Sequence, residues 1–253
     1  MPRYINTLNL PLMLKSGYQR RYLFEKKVMG TIFTQKGGTK VNSPVGRKIR
    51  TEKVVKALGI PVNKNLPPIH RDEEHQIRTV DAIIDRAIAN TIVSAKGSGA
   101  PDEVIDELID RYYKEGLFTP YELEFLENED PDQDELNAYS WKIECNSALL
   151  WAVSLVRDLP FPNELSDVQK LYDLIFQSER NELLSQAQFR DYNILMDELD
   201  LYYRLHWALV ETRLHNQELA VSINPGVVYE RRYGLTWLLN LAGEEWEDIS
   251  MDT

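Results

Sequence analysis

The sequence predicts an all-α protein: a compact multi-helix domain over residues 44–253, preceded by a basic extension over residues 1–43 that is flexible or hairpin-forming. Three observations predict it. Apolar residues after position 44 recur at the three-to-four spacing of a helix face. Three segments open on a capping residue followed by proline, Ser43-Pro44, Thr119-Pro120 and Asn224-Pro225, as helix starts do. Strand signals beyond residue 44 are nearly absent.

The extension lacks helical periodicity. RYLFEKKVMGTIFT suits a short hairpin, although KKVMG is a poor turn. Gln35–Lys40, QKGGTK, resembles a phosphate-binding loop but lacks its glycine–lysine–threonine spacing, so it reads as a basic linker.

Ser43–Leu58 is the first expected helix, stopped at Gly59, and IPVNKNLPPI is a proline-stiffened connector. His70–Ser94 is expected as one long helix, with Val80, Ile83, Ile84, Ala87, Ile88 and Ile92 as its core face. His70, Asp72 and His75 do not make a metal site, because histidines five apart leave a helix on different faces. A turn at Ala95–Glu103 starts a helix running to Tyr113. Thr119-Pro120 starts a short one that ends in the solvated acidic turn NEDPDQDE, which lacks the pattern of a calcium loop. Leu136–Val156 is expected as one helix, with Trp141, Cys145, Ala148, Trp151, Ala152 and Leu155 on its core stripe and Glu144 among them. Leu165–Phe176 and a helix through Phe189 follow.

The chain is organised around two helices near its C-terminus. In the first, Leu195, Leu199, Tyr202, His206 and Leu209 form one stripe, and Met196, Tyr203, Trp207, Val210 and Leu214 the next. The remaining stripe is Asp197, Asp200, Arg204 and Glu211. Asp200 and Arg204 stand four apart with the acid first, the favoured order for a pair. The second helix starts at Asn224-Pro225, is expected to stop at Gly243, and carries Glu230 and Arg231 on apolar faces. An unpaired ion removed from water costs several kcal/mol, so Arg204 and Arg231 are expected to meet Asp197, Asp200 or Glu230. The candidate polar cluster is Glu144, Asp197, Asp200, Arg204, His206, Glu230 and Arg231. His206 reads as a core histidine with one bonded nitrogen.

Composition bounds the function. The single cysteine, Cys145, permits no internal disulfide and fits a reducing, cytoplasmic setting. No apolar run is long enough to span a membrane, and LNLPLML near the start is too short for a secretory signal. The net charge of −11 hides a split. Residues 1–64 hold 14 Lys and Arg against 2 Glu, whereas residues 65–253 hold 15 against 38 Asp and Glu, a net of −23. Nucleic acid is therefore disfavoured except through residues 1–64. No G-x-S-x-G elbow or paired Glu-x-x-His motif is present, and no cofactor or metal is expected.

GRKIRTEKVVKALGIPVNKNLPPI, IRTVDAIIDRAIA, FTPYELEFLEN, WKIECNSALLWAV, DELDLYYRLHWALVE, VVYERRYGLTWLL and WEDISMDT, spread over residues 47–253, together resemble a bacterial family known only as the domain of unknown function numbered 4272. The resemblance implies an intracellular, mostly helical protein and implies no activity. Where that family commonly has arginine after the tryptophan of the third helix, this chain has Lys142. Where it tends to have histidine in the last helix, this chain has Arg232 and Tyr233.

Two functions fit these residues. The first is a protein-interaction module, immunity-like or regulatory, with a buried Glu/Asp/Arg network fixing its helices and an acidic surface for a basic protein partner. The alternative is an enzyme whose pocket is formed by Glu144, Asp200, Arg204, Glu230 and Arg231, one carboxylate serving as general base.

Overall fold

The computed structural model describes residues 43–72 and 74–253, and among these the chain is helical with no strand. The expected basic extension and its hairpin lie outside the described residues.

Helix α1 spans Pro44–Ala57; the Ser43 hydroxyl accepts from Gly46 N at 3.1 Å, and Gly59 turns the chain away at φ +74°. Lys48 Nζ donates to the carbonyls of Lys64 and Leu66 at 2.5 and 2.6 Å, tying the connector back to α1.

The long helix expected from His70 starts ten residues later, as α2, Val80–Gly97. Residues before it are extended because their backbone finds partners elsewhere. Asp72 N and Arg78 N donate to Leu241 O and Leu238 O at 3.1 and 2.9 Å, and Asn240 Nδ2 donates to Gln76 O. They thereby satisfy carbonyls that a helix C-terminus leaves open. Thr79 then caps α2 through Ala82 N. Most of α2 is buried, including Ile83, Ile84, Ala87, Ile88 and Ile92, as befits a central helix.

Helix α3, Asp102–Arg111, buries only Ile105 and Leu108 and turns its acids outward. Helix α4, Pro120–Glu127, opens on a full capping box between Thr119 and Glu122. The expected helix 136–156 is two helices, α5, Gln133–Ser140, and α6, Lys142–Ala152. Asp132 starts α5 early by accepting from Glu135 N. A turn at Trp141 then re-aims the chain, so that α5 lies on one end of α2 and α6 packs along α2. Leu155, expected on the core stripe, lies beyond α6, after Ser154 at φ +63°.

Helix α7, Val168–Phe176, begins at its Asp167 cap rather than at Leu165. Helix α8, Arg180–Gln186, ends short of Phe189 because Gln188 N and Arg190 N turn to Val153 O and Ala152 O. Helix α9 spans Tyr192–Leu214 and α10 spans Pro225–Leu239. The Asn224 side chain caps α10 through Gly226 N and Val227 N. Asn240, left-handed at φ +49°, ends α10 in place of the expected Gly243, since asparagine tolerates that region.

The packing order is α5 on α2, α2 on α6, α6 on α10, α10 on α9 and α9 on α1. Asn146 fastens α6 to α2: its Nδ2 donates to Thr91 Oγ1 at 2.7 Å and Ala87 O at 2.8 Å, and its Oδ1 accepts from Asn90. No helix among the described residues is long and apolar enough to cross a membrane.

Candidate functional site

The seven residues of the candidate cluster occupy four neighbouring sites around α9 and α10. At the first, Arg231 reaches from α10 between α6 and α9. Its Nε meets Glu144 Oε2 at 3.1 Å, its Nη1 meets Pro160 O and Tyr202 Oη at 2.7 and 3.1 Å, and its Nη2 meets Ser166 Oγ at 2.9 Å. Glu144 also accepts from Ser166 N and Oγ at 2.6 and 2.8 Å. Arg231 and Glu144 are 0% and 1% exposed, and every nitrogen and oxygen of the pair is bonded. The expectation that Arg231 meets Asp197, Asp200 or Glu230 is corrected to Glu144, because the helix faces of α6 and α10 that touch carry those two residues. Burial pushes the Tyr202 hydroxyl well above its ordinary range.

The second site is the seam of α1 and α9. Arg204 grips Asp200 with two bonds of 2.9 and 2.7 Å, the bidentate geometry arginine favours. Asp197 pairs with Arg50 at 2.7 Å and Arg47 at 3.3 Å, both from α1. Glu52 lies 3.6 Å from Arg204 Nη1. Arg47 Nε, Glu52 Oε1 and Arg204 Nη1 approach their opposite charges without hydrogen-bond alignment, so this seam is charge-matched but less tightly fitted than the first site.

At the third site Glu230 takes no arginine. Its carboxylate holds Lys142 Nζ at 3.2 Å and accepts from the Cys145 thiol at 3.1 Å. Burial, and then the Glu230 charge, push the thiol well above its ordinary value, which leaves it protonated and unreactive. For Lys142, burial pulls the ammonium down, but the Glu230 carboxylate, together with the neighbouring Cys145 and Tyr229, more than offsets that and raises it above its ordinary value.

The fourth site contains His206, whose Nδ1 accepts from Arg232 Nη1. Arg232 also donates to the carbonyls of Met251 and Asp252 at 3.0 and 2.8 Å, so it anchors the C-terminal segment. Burial, reinforced by the charges of Arg232 and Arg213, lowers His206 to about 4. The ring is therefore neutral at neutral pH and weakly basic. His206 also lines a groove of about 700 Å3 with Leu209, Val210 and Tyr229, and its ring meets Tyr229 edge-on at 5.6 Å.

No hydrogen bond or ion pair among the described residues joins the Glu144–Arg231 pair to the Asp200–Arg204 pair. Glu144 and Cys145, like Arg231 and Glu230, are sequence neighbours that leave their helices in different directions. Helical projection identified the charges on apolar faces, but it did not separate the faces into distinct sites.

Several participants escaped the sequence reading. Glu198, on α9 beside Asp197 in sequence, is one of them. Burial raises its carboxyl to about 7; Arg231 pulls it down and Asp197 pushes it up. Ser166 and Lys142 carried no pattern that marks a polar partner. Arg86 did carry one: it lies among Ile83, Ile84 and Ala87 on α2, a charge on an apolar face, and it pairs with buried Glu122 at 2.5 Å. Among the described residues there is no group of three or more His, Cys, Asp or Glu able to hold a metal ion.

A family model described as a domain of unknown function, DUF4272, matches residues 47–249. No curated protein and no solved structure matches the chain.

Proposed function

The chain belongs to the DUF4272 family of domains of unknown function, and we propose that it works as a protein-interaction module of the cytoplasm. In this reading the helical domain from residue 44 onward is a rigid body that receives a basic protein partner, for which an immunity-like inhibitor or a regulator is the concrete form. Residues 1–43 are a separate basic extension.

The observation that carries this reading is the closure of the Glu144–Arg231 site. Each polar atom of that pair has a protein partner, and both side chains are shut off from solvent. Buried ions used in this way fix which helix faces meet. The outward charge is acidic. Asp102, Glu103, Asp106, Glu107 and Asp110 on α3 are exposed, as are Glu124, Glu127, Glu129, Asp130, Asp132 and Asp134 around α4 and α5. An acidic face accelerates encounter with a basic partner and makes the rate sensitive to salt.

The test begins with capture from a native extract at about 50 mM and about 300 mM salt. The association rate of any recovered partner is then measured against the unaltered protein and a variant with Asp102, Asp106 and Asp110 changed to lysine. Salt-sensitive association slowed at least about tenfold by the reversal supports the module. Capture that ignores both salt and the reversal overturns the acidic-surface reading.

A second reading, an enzyme, is favoured by one group: Glu198, whose carboxyl burial raises to about 7 against the pull of the Arg231 charge. Such a group is poised for general acid–base work near neutrality. Turnover of any substrate abolished by Glu198→Gln in a protein of unchanged fold would establish it.

A further inference from the structure

The groove of about 700 Å3 beside His206 runs between the second half of α9, the loop 215–224 and the first turns of α10. Its walls are apolar: Leu209 and Val210 come from α9, Leu219, Val221 and Ile223 from the loop, and the ring of Tyr229 from α10. The backbone sets its shape. Gln217 N donates to Thr212 O at 2.8 Å and Asn224 N to Pro162 O at 2.7 Å, so both ends of the loop are tied down. Val221 is buried, whereas Tyr229 stays 38% exposed. A preformed apolar hollow of this volume with few polar groups is the usual form of a small-molecule site.

His206 is the polar group that marks this groove. Arg232 Nη1 can only donate, so the Nδ1 that it meets carries a lone pair. The neutral ring then holds its one proton on Nε2, which makes that nitrogen a donor. Among the described residues Nε2 has no hydrogen-bond partner, and it keeps contact with solvent. An apolar molecule that covered it without offering an acceptor would strand that donor. Arg213 and Glu218 are the only charged residues in the lining, one of each sign and both exposed. A cation at His206 would meet the field of Arg232 and Arg213, the two charges that act on the ring. An anion would have to approach a domain whose residues 65–253 hold 15 Lys and Arg against 38 Asp and Glu. An uncharged molecule meets neither obstacle.

We propose that this groove binds a small uncharged apolar molecule bearing one hydrogen-bond acceptor, a ketone, ester or amide, whose oxygen takes the His206 Nε2–H while its hydrocarbon part covers Leu209, Val210 and Ile223. The hydrocarbon supplies affinity by leaving water. The acceptor supplies selectivity, because a ligand without one leaves the imidazole donor unpaired. The acidic surface and Glu198 take no part, so the site rests on neither function proposed above.

Long-range proton–nitrogen NMR of the full chain at neutral pH reads the imidazole directly, its signals assigned with His206→Gln. The spectrum is expected to show the proton on Nε2; a proton on Nδ1 would overturn the proposal at once. The probes are cyclohexanone, cyclohexylammonium and cyclohexanecarboxylate, which share one ring and differ in the head group. The expected result is a saturable shift of Nε2 with cyclohexanone, and binding of the two ions weaker by about tenfold or more. In His206→Phe, followed on the ring signals of Tyr229, cyclohexanone affinity is expected to fall by a similar factor. Where that variant does not fold, Ile223→Gln decides, since it makes the loop wall polar and is expected to weaken cyclohexanone likewise. No saturable shift with cyclohexanone, equal binding of all three probes, or an affinity unchanged in the deciding variant would each overturn the proposal.

Discussion

Arg231 Nε lies 3.1 Å from Glu144 Oε2, and the two side chains are 0% and 1% exposed. Removing one partner leaves the other as an uncompensated buried charge, which costs about 3–5 kcal/mol. Glu144→Gln and Arg231→Met are each expected to lose that much in urea unfolding, with the slope against denaturant unchanged. The double variant Glu144→Leu, Arg231→Met removes both charges and is expected to recover much of the loss. Equal losses in the double and the singles would show that the pair contributes packing rather than charge.

Glu230→Gln is a contrasting case. Glu230 is buried, but its partner Lys142 keeps 20% of its side chain in water. Freed of Glu230, Lys142 keeps part of its side chain in water, so the expected loss is smaller than at the fully closed Glu144. Thermal melts of Glu230→Gln and Glu144→Gln side by side check the order. A larger loss at Glu230 would place the controlling charge on the Cys145 side of α10.

The difference between these two positions marks the limit of what the sequence carries. Helical projection places Glu144, Glu230 and Arg231 on apolar faces, and the i,i+4 spacing of Asp200 and Arg204 gives a pair that forms. Partner choice across helices depends on how α6, α9 and α10 rotate against one another, which no local pattern encodes. Capping residues were legible where a side chain accepts from the next turn, as at Ser43, Thr119 and Asn224. They were illegible where a long-range bond decided the boundary. Residues before Val80 have helical neighbours in sequence, but their backbone is claimed by the end of α10. The break at Trp141 is of the same kind. It follows from α2 taking α5 and α6 at two different places along its length.

Glu198 links stability to pH. Its carboxyl is raised to about 7 from an ordinary 4.5, with burial the largest cause. The folded state then binds more protons than the unfolded state between those values, so stability falls as pH rises through that window. The ionised form costs about 3 kcal/mol above it. Glu198→Gln is expected to gain stability over the unaltered protein at about pH 8 and to match it near pH 4.5. Parallel melts across that range test this, and a gain independent of pH would contradict it.

His206 works with the opposite sign. Its imidazole is lowered to about 4 from 6.5, by burial first and then by Arg232 and Arg213. Between those values the unfolded state binds the extra proton, so the neutral ring's full contribution is present above about pH 6.5 and is lost as pH falls towards 4. His206→Gln keeps an acceptor for Arg232 and removes the titration. Relative to this variant, the unaltered protein is expected to weaken by about 3 kcal/mol on acidification through that window. A difference that stays flat from about pH 7 to 4 would mean that the ring gains its proton while folded.

The backbones of α2 and α5 approach closely at Gly97, the last residue of α2. A Cβ built there would lie 2.7 Å from both Leu136 O and Ser140 N of α5. Both atoms are backbone, so no side-chain rotation relieves the contact and α5 itself must shift. Elsewhere in a helix, alanine for glycine stabilises by up to about 1 kcal/mol. Here overpacking reverses the sign, and a loss of about 1–3 kcal/mol is expected. Gly99, two residues on, separates the two effects. It has φ +82° and nothing within 4 Å of a Cβ, so alanine there meets backbone strain alone, about 1–2 kcal/mol. Gly97→Ala should also disturb the Trp141 turn that follows α5, visible as a change in near-ultraviolet circular dichroism, and Gly99→Ala should not. Equal melts and identical spectra for the two variants would mean that α2 and α5 are not held at this spacing.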